Sequence, residues 1–187
     1  MSVRVPPLQR DEIAPDVAAQ LRGLFPRADR FFADGTEAPT MPRILGLLAR
    51  HPAIAGPWLA YNGALLDDGV LDARTRELLI LATVRRAGSA YLWQEHVRLA
   101  EVAGVTQDEV AALAGLAPRT WSEDDGALLR AVDELVAHQV VTDDTWQVMS
   151  RHFDDRQLIE VLFVAGTYVC LAMVLNSTGL VSGEEQP

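Results

Sequence analysis

The chain is expected to be all-α, and three observations predict it. Nearly every segment repeats its apolar residues at helical spacing. No stretch alternates apolar and polar residues between hairpin turns, as half-buried strands do. Asp72, Thr106 and Thr142 each stand just before such a segment, where a side-chain oxygen can cap a free backbone N–H. A length of 187 residues suffices for one domain with a real core.

Taken in order, residues 1–10 read as extended, because Pro6-Pro7 blocks helix. A helix is expected over 11–24, with acids at its start and Ile13, Val17 and Leu21 on one side. Pro26 to Pro42 reads as a loop carrying Asp34-Gly35, with Phe31-Phe32 as a packing anchor or the wall of a pocket. Helices follow over 42–50 and 53–67, separated by His51-Pro52. Residues 73–87 form a helix whose LLILATV run is apolar nearly all round, which implies burial on several sides. A break at Gly88-Ser89-Ala90 leads to a second helix, 90–103, stopped by Gly104. Short helices are expected at 107–115 and 143–152, and longer ones at 124–138 and 156–175, with a linker at 117–126 and a frayed GEEQP tail. The whole is expected to be a single domain: an N-terminal arm (1–41), a first half (42–116) and a second half (124–180). LDARTRELLILATV (71–84) echoes FDDRQLIEVLFVAG (153–166), with Glu77 and Glu160 in corresponding places. Either an ancient duplication or two buried helices built by the same rules would give that echo.

Composition excludes several functions. A net charge of −10 argues against nucleic acid as a partner, because a binder must offer phosphates a basic surface. All 16 basic residues are Arg, so Schiff-base chemistry and a Walker-type phosphate loop lack their lysine. The single cysteine, Cys170, allows no internal disulfide and reads as structural. The longest apolar run, Leu162 to Leu175, is about 14 residues, short of the roughly 20 of a membrane span. A cytoplasmic protein with no membrane partner is expected. His51, His138 and His152 show no ligand-like spacing, so neither a metal site nor a cofactor is expected. His51 marks a helix end, His152 suits a helix C-terminus, and His138 reads as a packing or capping residue. The Glu123-Asp124-Asp125 run reads as a solvated helix start.

The chemistry-bearing stretch is the hairpin, 72–104. Glu77 leads an otherwise apolar helix, and neither Arg74 nor Arg76 is at the spacing that would face it. Its partner should come from another helix. An antiparallel hairpin brings His96 back opposite position 82, about one turn from Glu77, which favours a water or substrate atom between the two. A carboxylate and an imidazole facing one small space can move protons in opposite directions. The same spacing suits a satisfied polar pair that merely ties two helices together.

Glu77, the break at 88–90, Tyr91-x-Trp93-x-x-His96, Ala100 and Gly104 resemble the signature hairpin of the carboxymuconolactone decarboxylase and AhpD-like superfamily. The resemblance is strongest over 72–115 and extends more weakly through 142–168. It implies an all-helical, AhpD-like bundle assembled as a dimer, trimer or hexamer, a homo-oligomer in any case. Members that reduce disulfides carry Cys-x-x-Cys between the Glu and the His; here Ser89 and Leu92 stand at those positions, and neither supplies a thiolate. What the resemblance leaves is a cofactor-free lyase or isomerase acting on a small carboxylated metabolite by decarboxylation or lactone and enol chemistry. Glu77 and His96 would be catalytic. Tyr91, Trp93 and Ser89 would shape the pocket, and Arg74, or Arg98, would recruit the substrate carboxylate. The alternatives are a non-catalytic helical oligomer or ligand-binding module that keeps the hairpin, and a disulfide reductase dependent on Cys170.

Overall fold

The structure, a computed structural model, describes residues 3–24, 26–32 and 40–180. Among them it contains helices and no strand. The chain divides into two compact units, Met1–Gly69 with Ser177–Pro187, and Val70–Asn176. The division falls at 69/70 rather than at 41 or 116, so residues 42–69 group with the N-terminal arm and not with the hairpin.

In the first unit a 3-10 turn, Arg10–Glu12, precedes α1 (Pro15–Leu21), α2 (Pro26–Phe32), α3 (Arg43–Leu48) and α4 (Pro52–Leu66). The helix expected over 11–24 is therefore shorter. Gln9 and Glu12 close a capping box around the 3-10 turn, and Pro15 opens a new helix because it disfavours the helical region for the residue before it. The loop expected over 26–42 begins instead as helix, since Pro26 sits at the tolerated first position of α2. Phe31 and Phe32 are packing anchors, buried with Leu21, Leu45, Ala55 and Leu59 in the core of this unit. Asp34-Gly35 and the GEEQP tail lie outside the described residues. The extended N-terminal segment crosses α3 closely: Leu8 N–H donates to the Gly46 carbonyl at 3.1 Å, and a Cβ on Gly46 would collide with the Leu8 carbonyl.

The second unit holds α5 (Ala73–Arg86), α6 (Ala90–Ala103), α7 (Gln107–Leu113), α8 (Glu123–His138), α9 (Asp143–Met149) and most of α10 (Asp155–Thr178). The expected caps are present. Asp72 accepts from Thr75 N–H at 3.0 Å, Thr106 and Glu109 form a capping box, and the Thr142 hydroxyl accepts from Thr145 N–H. Gly104 ends α6 at φ 95°, a left-handed conformation that a Cβ would strain. From Thr75 to Val84 every residue of α5 is buried, as its all-round apolar run requires.

The helix α10 has 24 residues, a little longer than the 156–175 expected, and by length and composition it could cross a membrane, against the reading from the apolar run alone. More than half of its most apolar window is buried, as in the core helix of a globular unit, and Glu160 lies within it. Glu160 does not repeat the contacts of Glu77: its carboxylate accepts from the backbone N–H groups of Val70 at 2.5 Å and Leu71 at 3.2 Å.

Candidate active site

The hairpin places Glu77 and His96 face to face. His96 Nδ1 lies 2.8 Å from Glu77 Oε2, and the residues are 8% and 5% exposed. The contact is direct, where the count along the helices favoured an intervening atom. Two long side chains span a one-turn offset, and burial drives the contact, because either polar group left alone would be costly. An ionised carboxylate has no proton to give, so Nδ1 then carries the hydrogen and Nε2 is the nitrogen left for a reacting atom. The Tyr168 ring on α10 meets the imidazole edge-on, with centroids 4.9 Å apart and planes at 87°. Tyr168 was not legible as a site residue, since one tyrosine in an apolar helix reads as core.

Ser89, the N-cap residue of α6, is 2% exposed; its Oγ makes no capping bond and has no hydrogen-bond partner. Tyr91 and Leu92 are buried and Trp93 is half-buried, on the turn before His96. The positions that carry thiols in the disulfide-reducing relatives are thus a closed hydroxyl and an isobutyl group. Cys170 is exposed on α10, not the buried structural residue that the apolar context suggested.

Arg74 is committed elsewhere, which corrects its expected part in recruiting a carboxylate. Its Nη1 and Nη2 donate to Asp125 at 3.1 and 2.8 Å, and Nη2 also donates to Glu109 at 2.7 Å. Arg119 adds a second cation to Glu109 at 2.8 Å. Burial pushes the Glu109 carboxyl up, but Thr106 and Arg74 outweigh it and hold the group below the ordinary carboxylate range. These ion pairs join α5, α7 and α8 and hold the first turn of the helix that carries Glu77. Asp125 is therefore not part of a solvated helix start, whereas Glu123 is exposed and pairs with Arg151 and His152 at 2.8 and 3.2 Å. Arg98 is exposed and pairs with Glu95 at 3.4 Å. Among the described residues no group of three or more His, Cys, Asp or Glu side chains is gathered where a metal ion could sit. A separate cleft of ≈ 870 Å³ is lined from α5, α7, α8 and the segment between α7 and α8 by residues that include Ala82, Arg86, Trp121 and Arg130, and not by Glu77 or His96.

Residues 52–134 match the carboxymuconolactone decarboxylase family. No curated protein matches in sequence. The fold is similar to that of a protein of unknown function from Agrobacterium tumefaciens whose suggested role is that of the antioxidant defence protein AhpD. That match has a TM-score of 0.66 and 18% identity, covering 73% of this chain and 94% of that one. It is also similar to the debrominase Bmp8, both in its apo form (TM-score 0.75) and as a cysteine-to-alanine variant in complex with 2,3,4-tribromopyrrole (TM-score 0.76). Each is 14% identical and covers 98% of this chain and 94% of that one. At these identities the solved structures show the AhpD-like helical fold.

Proposed function

We propose, from the match of residues 52–134 to the carboxymuconolactone decarboxylase family, that the protein is a cofactor-independent lyase or isomerase. It would move a proton on a small carboxylated metabolite, by decarboxylation or by lactone or enol chemistry. The observation that carries this reading is the buried Glu77–His96 pair at 2.8 Å. Glu77 holds the imidazole through Nδ1 and leaves Nε2 to act. In a decarboxylation the C–C bond to the departing carboxylate breaks and its electron pair is held as an enolate by the conjugated substrate. His96 acts as the imidazolium, with Nδ1–H held by Glu77: its Nε2–H protonates carbon, and the neutral ring left behind takes a proton from solvent to restore the imidazolium. Tyr168 steadies the ring, and Tyr91, Trp93 and Ser89 form the surrounding wall. We further propose a cytoplasmic homo-oligomer, on the single cysteine and on the exposed apolar side chains Ile159 and Met173 of α10.

Thiol-dependent disulfide reduction is not proposed. Ser89 and Leu92 supply no thiolate, and Cys170 is a lone cysteine. A second reading has one observation in its favour: the direct contact satisfies both Glu77 and His96, as a purely structural pair in a non-catalytic module would. A screen of small carboxylated lactones and enols in D2O separates the two. The enzyme reading predicts turnover that places deuterium on substrate carbon and falls by about 10²-fold or more in His96→Ala. Turnover that is unchanged in a folded His96→Ala protein would overturn it.

A further inference from the structure

The hairpin carries one buried charge that the proton-transfer pair does not use. Arg76 lies one position before Glu77 in the buried run of α5 and is 9% exposed. Arg74, two residues earlier, is neutralised by Asp125 and Glu109. Arg76 has no such partner among the described residues. Its Nη1 donates to the Leu71 carbonyl at 3.3 Å, a long bond, and its Nε is buried with no hydrogen-bond partner. A guanidinium cannot shed its proton to escape the cost of burial, as a lysine or histidine can. The acid nearest in the hydrogen-bond pattern, Glu160, gives its oxygens to the Val70 and Leu71 N–H groups rather than to Arg76.

With Nη1 turned to Leu71, the side of the guanidinium formed by Nε and Nη2 is the edge without a partner. Two parallel N–H groups on that edge match the two oxygens of a carboxylate. We infer that Arg76 is the anion receptor of the hairpin and binds the carboxylate of a small organic acid. Consecutive residues leave a helix about 100° apart, so Arg76 and Glu77 lie on neighbouring faces of α5. The assignment rests on reading the hairpin as an acid–base site, and it gives to Arg76 the role that the sequence suggested for Arg74.

The test is binding, read without turnover. Benzoate and its neutral analogue benzamide are titrated into the full-length protein while the Nε–H resonances of its arginines are followed by NMR. Benzoate is expected to shift the Arg76 Nε–H signal and benzamide to leave it in place. Arg76→Gln should weaken benzoate binding by roughly tenfold or more, and Arg76→Lys, which keeps the charge, should recover part of it. Glu77→Gln should bind benzoate at least as well as the wild type. Equal binding of benzoate and benzamide by the wild type would overturn the inference, and needs no variant to fold. So would undiminished benzoate binding in Arg76→Gln. Benzoate binding at Arg76 together with unchanged turnover in Glu77→Gln would sink the proton-transfer reading and leave the anion receptor standing.

Discussion

Arg74 sits between two carboxylates that are themselves 3% and 9% exposed at the side chain, so its removal leaves two like charges with poor access to water. Arg74→Met is expected to cost about 2 kcal/mol, less than a fully buried pair because Arg74 is one-third exposed. The sign of the pH effect follows from Glu109. Its folded-state pKa lies below its unfolded value. The stability it contributes is therefore complete above the unfolded carboxylate pKa, and it is lost as pH falls through the folded one. Chemical denaturation from neutral pH down to about pH 3 should show a steep acid limb in the wild type and a shallower one in Arg74→Met. Parallel limbs would mean that Arg74 does not hold Glu109 down. The sequence placed Glu77 and His96 on facing helices, but not the fate of these arginines. Which of Arg74 and Arg76 finds a carboxylate depends on where Glu109 and Asp125 come to lie, 35 and 51 residues away.

At the scale of elements, two glycines in helices have opposite surroundings. Gly166 is exposed in the middle of α10, and a Cβ there meets nothing within 4 Å. Gly166→Ala should stabilise the protein by about 0.5–1 kcal/mol, a rise in Tm of a few degrees, through helix propensity alone. Gly46 in α3 faces the Leu8 carbonyl, and Gly46→Ala should lower Tm because backbone must move to make room. A fall in Tm for Gly166→Ala would mean instead that another chain approaches α10 closely. The helices themselves were legible because caps and apolar period act locally: Asp72, Thr106 and Thr142 each start the helix expected of them. Sequence misjudged α1 and α2: Pro15, read as lying inside one helix, starts α1, and Pro26, read as opening a loop, starts α2. It also misjudged Cys170, because an apolar helix shows its composition but not which of its sides the rest of the unit covers.

For the whole molecule, the exposed apolar side chains bear on assembly. Val102 on α6 is 90% exposed, and Ile159 and Met173 on α10 are 54% and 59% exposed. Scattered apolar residues are common on monomers, but six on these two helices, with Leu99, Phe163 and Val174 beside the three named, favour a self-interface. Sedimentation equilibrium at tens of micromolar is expected to give at least twice the chain mass of 20.4 kDa. A single species at 20.4 kDa would contradict the oligomer. The all-helical class was legible from periodicity, whereas the division at 69/70 was not, because no Pro- or Gly-rich linker marks it. The clearest linker in the sequence, 117–126, lies instead within one unit, held by the Arg119–Glu109 ion pair.

The central claim is that Glu77 and His96 move a proton rather than only tie two helices together. The most direct measurement is kcat of Glu77→Gln on a substrate that the wild type turns over, with its Tm recorded beside it. Glutamine keeps the length and can still meet the imidazole, but it carries no charge to stabilise the protonated ring. The account predicts a kcat reduced by about 10²-fold or more in a protein that still unfolds cooperatively. A Glu77→Gln protein with lowered Tm and wild-type kcat would contradict it, and would make the pair a structural tie.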